Sequence, residues 1–335
     1  MTTRVIVLNW NGLAWLDRCL ETLHAQTLPP TEMVVVDNAS TDGSVAHLRA
    51  RWPGVRVEAL PTNAGFAAGN NRGAADARTD ALVFLNNDTE VDPGWLQALV
   101  RAAEADPGRG LVASKVVYLD RPELIDSAGD GYLRCGGGLK RGHGQPVTLA
   151  DVSGEVFGAC GAGFLIRRNL FEELGGFDED FFMVYEDVDL SYRARLSGAR
   201  VWYAADAVVR HAGSAVLGRV SDAAVYLGQR NLEWTWIKNT PASLLWRSLP
   251  GHLLYTLAAG AVYARRGQLR PWLRAKADVL AAAPRLWRKR LAVQRGSRVP
   301  AASLWSVMDQ RWWAIKTAEK KFDFPEESGR PPRRQ

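Results

Sequence analysis

The chain has 335 residues, 47% of them hydrophobic and 23% charged, which excludes a disordered or collagen-like polypeptide and leaves room for two domains. Three scattered cysteines, Cys19, Cys135 and Cys160, exclude a disulfide framework and a Cys-x-x-Cys zinc pair, and fit a reducing cytoplasm. The net charge of +6 hides a division: residues 240–335 carry 19 Lys and Arg against 6 Asp and Glu, whereas residues 1–239 carry 23 against 30.

Short β-branched runs at residues 5–8, 33–36, 55–60 and 81–85 alternate with helix-like segments, the pattern of parallel strands joined by helical crossovers. The first run is too short for a signal-peptide core, so no export signal is expected. Residues 14–24 place Trp15, Cys19, Leu20 and Leu23 on one helical face, and residues 44–51 form a shorter helix after Thr41-Asp42-Gly43. Small side chains at 69–77 suit a helix packed closely on a sheet. The turn after the first strand reads Asn9-Trp10-Asn11-Gly12 and lacks the Gly-x-Gly-x-x-Gly of a nicotinamide dinucleotide site. Further on, residues 94–104 read as a helix and 111–118 contain a strand. A glycine-rich loop at 135–144, with Lys140, Arg141 and His143, has the character of an active-site lid.

Ligands of open α/β sheets bind at the carboxyl ends of the strands, and polar clusters stand there. Asp37, which opens Asp37-Asn38-Ala39-Ser40-Thr41-Asp42-Gly43, can accept from the imide N–H of uracil or thymine, or simply close an Asx turn. In Asn63-Ala64-Gly65-Phe66-Ala67-Ala68-Gly69-Asn70-Asn71-Arg72-Gly73, glycines permit close backbone approach and Arg72 can offset phosphate charge. The oxygen-rich turn Asn86-Asn87-Asp88-Thr89 suits a hard divalent cation that bridges a diphosphate; His211 is a further candidate ligand, although a lone histidine also serves structure. Finally, Glu186, Asp187 and Asp189 fall within four positions among large apolar neighbours. Such crowding raises a carboxyl pKa and makes a general base, the alternative being a solvated acidic helix start.

Taken together, these motifs resemble the inverting glycosyltransferases of family 2, in particular their rhamnosyltransferase-like branch, over approximately residues 3–235. The resemblance implies an α/β fold of the GT-A type, a mostly parallel sheet flanked by helices, here with a C-terminal helical extension. It implies nucleoside binding by Asn9, Asn11, Asp37, Asn38 and Ser40, and donor contacts from Asn63, Gly65, Asn70, Arg72, Asn86 and Asn87. Asp88 and His211 would hold a divalent cation, Mg2+ or Mn2+. The first aspartate of the family's Asp-x-Asp motif is replaced by Asn86, so Asp88 alone keeps a carboxylate. Asp187 falls on the family's catalytic base, with Glu186 beside it, and Cys160, Gly161, Ala162 and Gly163 fall on an acceptor-side loop. The implied donor is a dTDP- or UDP-sugar, with dTDP-L-rhamnose the best match, and the acceptor a cell-surface glycan or a polyprenyl-linked glycan. A nucleotidyltransferase would need a basic glycine-rich loop after the first strand, which is missing. A non-catalytic sugar-nucleotide or glycan-binding module would not need Glu186 and Asp187.

From residue 239 the composition changes to helices with basic and aromatic punctuation, including six of the 13 tryptophans. The apolar run at 253–264 would reach only ~18 Å as a helix, short of a bilayer core. Trp272, Leu273, Val279 and Leu280 can share a face flanked by Arg270, Arg274 and Lys276, which fits a helix lying in a membrane interface or packed on the catalytic part. The expected organisation is a catalytic domain over 1–238, a basic helical extension over 239–322 and a disordered tail over 323–335. A cytoplasmic enzyme, peripheral at the inner face of the cytoplasmic membrane, follows. No nucleic-acid partner is expected, because the acidic first part would repel a polyanion.

Overall fold

In the computed structural model, which describes residues 1–213 and 221–323, the β-branched runs pair as their spacing predicts. β1 (Thr3–Asn9) is followed by α1 (Leu13–His24), β2 (Glu32–Asp37), α2 (Ser44–Arg51), β3 (Arg56–Ala59), α3 (Gly65–Ala74) and β4 (Ala81–Asn86). The four strands run parallel in the order β4-β1-β2-β3, so Asn9, Asp37 and Asn86 arrive at one carboxyl edge. Val5, Ile6 and Val7 have no exposed surface, because helices cover both faces. Val5 and Val7 pack with Leu16, Leu20 and Leu99, whereas Ile6 joins Phe84, Phe164 and Phe177 on the opposite face.

Beyond β4 the sheet becomes mixed. β5 (Thr89–Val91), α4 (Trp95–Glu104), β6 (Arg109–Tyr118), β7 (Ile125–Ala128), β8 (Asp130–Tyr132), β9 (Gly138–Lys140), β10 (Gly154–Glu155), β11 (Gly163–Arg167), α5 (Arg168–Glu173), α6 (Glu186–Leu196) and β12 (Arg200–His211) follow in turn. β11 inserts antiparallel between β4 and β6, and β12 lies parallel to β6. Because β11 runs backwards, its first residue, Gly163, pairs with Leu85 and brings the 158–163 loop to the same edge as the parallel strand tips.

Two expectations change here. α3 begins at Gly65 and not at residue 69, because its first turn is capped from outside. Asn38 Oδ1 accepts from Ala64 N at 2.8 Å, Asn63 Oδ1 accepts from Gly65 N at 2.9 Å, and Phe182 O accepts from Ala67 N at 3.1 Å. The glycine-rich segment 135–144 is an anchored structure in place of a free lid. It contains β9, paired with β8, and it is pinned by Lys140 to Asp126 at 2.7 Å and by Gly138 N to Tyr185 Oη at 3.1 Å.

The C-terminal part consists of α7 (Asp222–Asn239), α8 (Ala242–Arg265), α9 (Leu269–Ala281), α10 (Ala283–Arg295), α11 (Ala301–Val307) and α12 (Trp312–Asp323). α8 is twice as long as the apolar run alone implied, since it continues through Pro250, yet no described helix is long and apolar enough to cross a membrane. The expected face of α9 is split: Val279 is buried and Trp272 packs on Gly260, while Leu273 and Leu280 are exposed. At 100° per residue the buried boundary falls between these pairs. The extension is bonded to the first part: Lys289 Nζ lies 2.5 Å from Asp178, Arg298 N donates to Leu196 O at 2.7 Å and Lys316 Nζ donates to Gly138 O at 2.8 Å. Residues 324–335, where disorder was expected, lie outside the described residues.

At the centre of this helical part, buried Glu233 of α7 accepts from His252 of α8 at 2.7 Å and from Lys276 of α9 at 2.5 Å. Burial opposes its ionisation, but His252 and Lys276 pull its pKa down to about 2. A carboxyl that is more acidic folded than unfolded stabilises above its ordinary value of 4.5, and that contribution is lost as pH falls toward 2. Glu233→Gln is expected to cost about 3 kcal/mol in urea unfolding at neutral pH. Its stability should also decline less than that of the wild type between pH 4.5 and 2.

Candidate active site

Side-chain amides and hydroxyls knit the parallel strand tips together. Asn9 Nδ2 donates to Asp37 Oδ2 at 2.8 Å and to Ser40 Oγ at 3.2 Å, and Asn87 Nδ2 donates to Asn9 Oδ1 at 2.7 Å. Ser40 Oγ accepts from Asn11 N at 2.8 Å, and Asn11 Oδ1 accepts from Thr41 N at 2.8 Å. Asn38 Nδ2 reaches Asn63 Oδ1 at 2.9 Å and Gly65 O at 3.1 Å. Asn9, Asn11, Asp37, Asn38, Ser40, Asn63, Gly65 and Asn87 are therefore brought together, as the sequence predicts.

Not every expected role fits this geometry. Asp37 is fully buried, and Asn9 Nδ2 and Ser40 N each donate to one of its carboxylate oxygens, so it orders the turn. Asn70 is buried and donates back to Phe66 O at 3.0 Å within α3. Arg72 lies in the last turn of α3, where its exposed guanidinium pairs with the Glu58 carboxylate of β3.

The carboxylates at the start of α6 divide their tasks. Asp189 has no exposed surface and is held by Arg193 Nε at 2.8 Å, Lys238 Nζ at 2.6 Å and Asn239 Nδ2 at 2.8 Å, so it anchors α6 to α7. Glu186 and Asp187 instead line a cavity of about 460 Å³ with Asp130, Lys140, Cys160 and Tyr185. Asp187 is partly exposed; Gly161 N donates to its Oδ2 at 2.7 Å and Val188 N to its Oδ1 at 2.7 Å. A Cβ on Gly161 would lie 3.1 Å from that Oδ2, so the close approach favours glycine. Ala162 O accepts from Asn86 N at 3.1 Å, which couples this loop to the end of β4.

Burial sets the acidity of this cavity. It raises the Asp187 carboxyl, and with the Asp187 charge it raises Glu186 well above the carboxylate range. Glu186 Oε2 is buried and, among the described residues, has no hydrogen-bond partner. Asp130 is pushed up to about 7, first by burial and then by the charge of Asp187. Asp130 was not singled out in the sequence; it opens β8 with no motif around it.

The peptide leading into α6 is strained. Phe182, Val184 and Tyr185 have φ of 63°, 70° and 77°, a region that costs a non-glycine residue about 1–3 kcal/mol. Asn231 of α7 holds it in place, its Nδ2 lying 3.0, 2.9 and 2.6 Å from the carbonyl oxygens of Phe181, Met183 and Val184. Sequence reasoning missed this residue too, because its partners are backbone atoms about 50 positions earlier.

Asp88 and His211 do meet. His211 Nε2 lies 3.4 Å from Asp88 Oδ1, and its Nδ1 lies 2.9 Å from Asp126 Oδ2. Burial disfavours the imidazolium, yet Asp126 and Asp88 raise the His211 pKa to about 9. Asp126 is fully buried; burial would neutralise it, but Lys140, His143 and His211 hold it well below the usual range. A carboxylate behind a histidine that faces a second carboxylate fits a divalent cation at Asp88 and His211. Among the described residues, one group of three donors could also share an ion: Asp130, Cys160 and Asp187, within 4.8 Å of one another. An ion there would neutralise the carboxylate that faces the cavity.

A family model described as Glycosyl transferase family 2 matches residues 4–175. N-acetylglucosaminyl-diphospho-decaprenol L-rhamnosyltransferase of Mycobacterium tuberculosis is 30% identical over 241 residues, covering 64% of this chain and 77% of that one. O-antigen biosynthesis protein RfbC of Myxococcus xanthus is 33% identical over 211 residues, covering 58% of this chain and 16% of that one. Among solved structures, S. aureus TarS 1-349 in complex with UDP-GlcNAc superposes with a TM-score of 0.57 at 18% identity, over 99% of this chain and 93% of that one. GalNAc-T7 with UDP, GalNAc and Mn2+ gives 0.55 at 19% identity, over 70% and 48%. The fold is thus that of GT-A glycosyltransferases, and the chain belongs to glycosyl transferase family 2 and is a glycosyltransferase.

Proposed function

We propose that this glycosyltransferase inverts the anomeric centre as it moves a sugar from a nucleoside diphosphate to a hydroxyl of a polyprenyl-diphosphate-linked glycan. The observation that carries this reading is the cavity in which a buried Glu186 oxygen, without a hydrogen-bond partner among the described residues, stands beside Asp187 and Asp130, joined to the end of β4 through the 158–163 loop. The donor is a dTDP- or UDP-sugar, with dTDP-L-rhamnose favoured by the M. tuberculosis relative, whose name also supplies the polyprenyl acceptor class. A cell-surface glycan is the product class.

Asp187 acts as the general base. It takes the proton of the acceptor hydroxyl while the oxygen attacks the anomeric carbon, and the bond to the diphosphate breaks with its electron pair on the leaving phosphate. The hydrogen bond from Gly161 N fixes the carboxylate. Glu186, favoured in its neutral form, can donate a hydrogen bond to the acceptor, so that two adjacent carboxyls take different roles. Asp88 and His211 would hold Mg2+ or Mn2+, which when bound offsets charge on the departing diphosphate. Asn9, Asn11, Ser40, Asn38, Asn63 and Gly65 shape the nucleoside end of the site. Trp10, 38% exposed beside Asn11, offers it a flat apolar face.

Asp187→Asn is expected to lower kcat by about 10²–10⁴-fold while nucleotide affinity in calorimetry stays within twofold, roughly. Substantial turnover by that variant would remove Asp187 from the role. Asp130→Asn removes a like charge from the pair and should displace the acidic limb of the kcat/KM profile to lower pH. An unmoved limb would mean that Asp130 does not titrate with the base. For the cation, Asp88→Ala should raise the Mn2+ concentration needed for nucleotide binding by about 10–100-fold. Full activity in excess chelator would refute a metal role.

A further inference from the structure

α8 buries polar side chains between Leu244 and Gly260 and leaves an apolar stripe outside. Its inward side carries Ser248, His252 and Thr256. Ser248 Oγ accepts from Trp236 Nε1 at 3.0 Å; His252 stacks on Trp236 with ring centroids 3.7 Å apart and bonds to Glu233; Thr256 Oγ1 donates to Glu233 Oε1 at 3.3 Å. Facing outward are Trp246, Pro250, Leu253, Leu254, Leu257 and Ala261, all exposed, with Trp246 at 71% and Leu257 at 67%. Their spacing keeps them on one stripe, ~22 Å long at 1.5 Å per residue. Isolated exposed leucines are ordinary, but a continuous stripe marks an interaction surface.

Charge identifies what would cover it. Residues 240–295 carry 11 Lys and Arg against one acidic residue, Asp278, which is already bonded to Tyr226 Oη. Lys276, Arg285, Lys289 and Arg290 are bonded to groups of the first part and α7, and the others include the exposed Arg247, Arg265, Arg270 and Arg274. Arg247 and Arg265 stand exposed near the two ends of α8. A second copy of this face would bring like charges together, whereas an anionic bilayer pairs its headgroups with the arginines and its acyl boundary with the stripe. Since no described helix can cross a membrane, α8 would lie in the interface plane, where Trp is favoured. The C-terminal end of the same helix opens on the catalytic cavity, because Tyr263 and Arg266 line it with Glu186 and Asp187.

We propose that the outward face of α8 docks on an anionic lipid bilayer, with Trp246, Leu253, Leu254 and Leu257 entering the interface, and so sets the cavity mouth at membrane level. Only the consequence for acceptor delivery rests on the lipid-linked acceptor proposed above.

The experiment compares the full chain with the double variant Leu254→Glu, Leu257→Glu by sedimentation with vesicles of phosphatidylcholine alone or with about 30% phosphatidylglycerol. The wild type should bind the anionic vesicles about tenfold more strongly than the neutral ones, and the double variant should fall to the neutral level. Thermal unfolding and nucleotide affinity should be equal in both proteins. Equal vesicle binding by the two overturns the proposal. So does a wild-type dimer in velocity sedimentation that the double variant converts to a monomer without change in vesicle binding, which would assign the stripe to a second copy. Should both proteins fail to bind nucleotide while vesicle binding behaves as stated, the docking surface stands and the proposed reaction falls.

Discussion

One hydrogen bond, from Gly161 N to Asp187 Oδ2, joins the two halves on which everything else depends. Gly161 belongs to the loop that enters the reversed strand β11, and that loop is itself bonded to the end of β4 through Asn86 N and Ala162 O. The helix that carries Asp187 is thereby fixed relative to the strand tips. The strained entry to α6 serves the same end. Phe182, Val184 and Tyr185 hold left-handed backbone that only a dense set of external bonds can maintain, and Asn231 supplies it from α7.

Desolvation pushes the carboxyl cluster toward its neutral forms, and the same desolvation makes the surrounding charges obligatory. Asp189 is neutralised by Lys238 and Arg193, and Asp126 by Lys140, His143 and His211. Among the described residues, Glu186, Asp187 and Asp130 lack such direct ion pairs, and all three are pushed upward. A continuous polar chain runs from Asp88 through His211 and Asp126 to Lys140, which lines the cavity. The turn at 86–89 and the cavity thus share one electrostatic environment, although they do not share a pocket wall at Asp88.

The C-terminal helices extend this economy of polar groups. His252, Ser248 and Thr256 of α8 face inward because Glu233 and Trp236 of α7 need partners there, so the leucines of α8 turn outward. A helix that buries its polar side leaves its apolar side to be covered by something else. α7 packs on α6, α9 and α10 and so ties the Glu186-Asp187 segment to the outer helices, beside the direct contact of α10 with α6.

The sequence alone determined the parallel strands, their polar ends, the family and the Glu186-Asp187 pair, because strand periodicity and carboxyl-end turns are local patterns. It also placed Asp88 and His211 together correctly. What it could not decide were pairings made across the fold. Asn70 and Arg72 read as donor contacts until α3 was seen to direct one into its own helix and the other to Glu58. The loop at 135–144 read as mobile until Asp126 and Tyr185 were seen to hold it. Asp126, Asp130 and Asn231 went unrecognised, since each acquires its role from atoms remote in the chain. The outward turn of α8 likewise belongs to tertiary structure: hydropathy shows that a helix has an apolar side, but only its neighbours decide which side is buried.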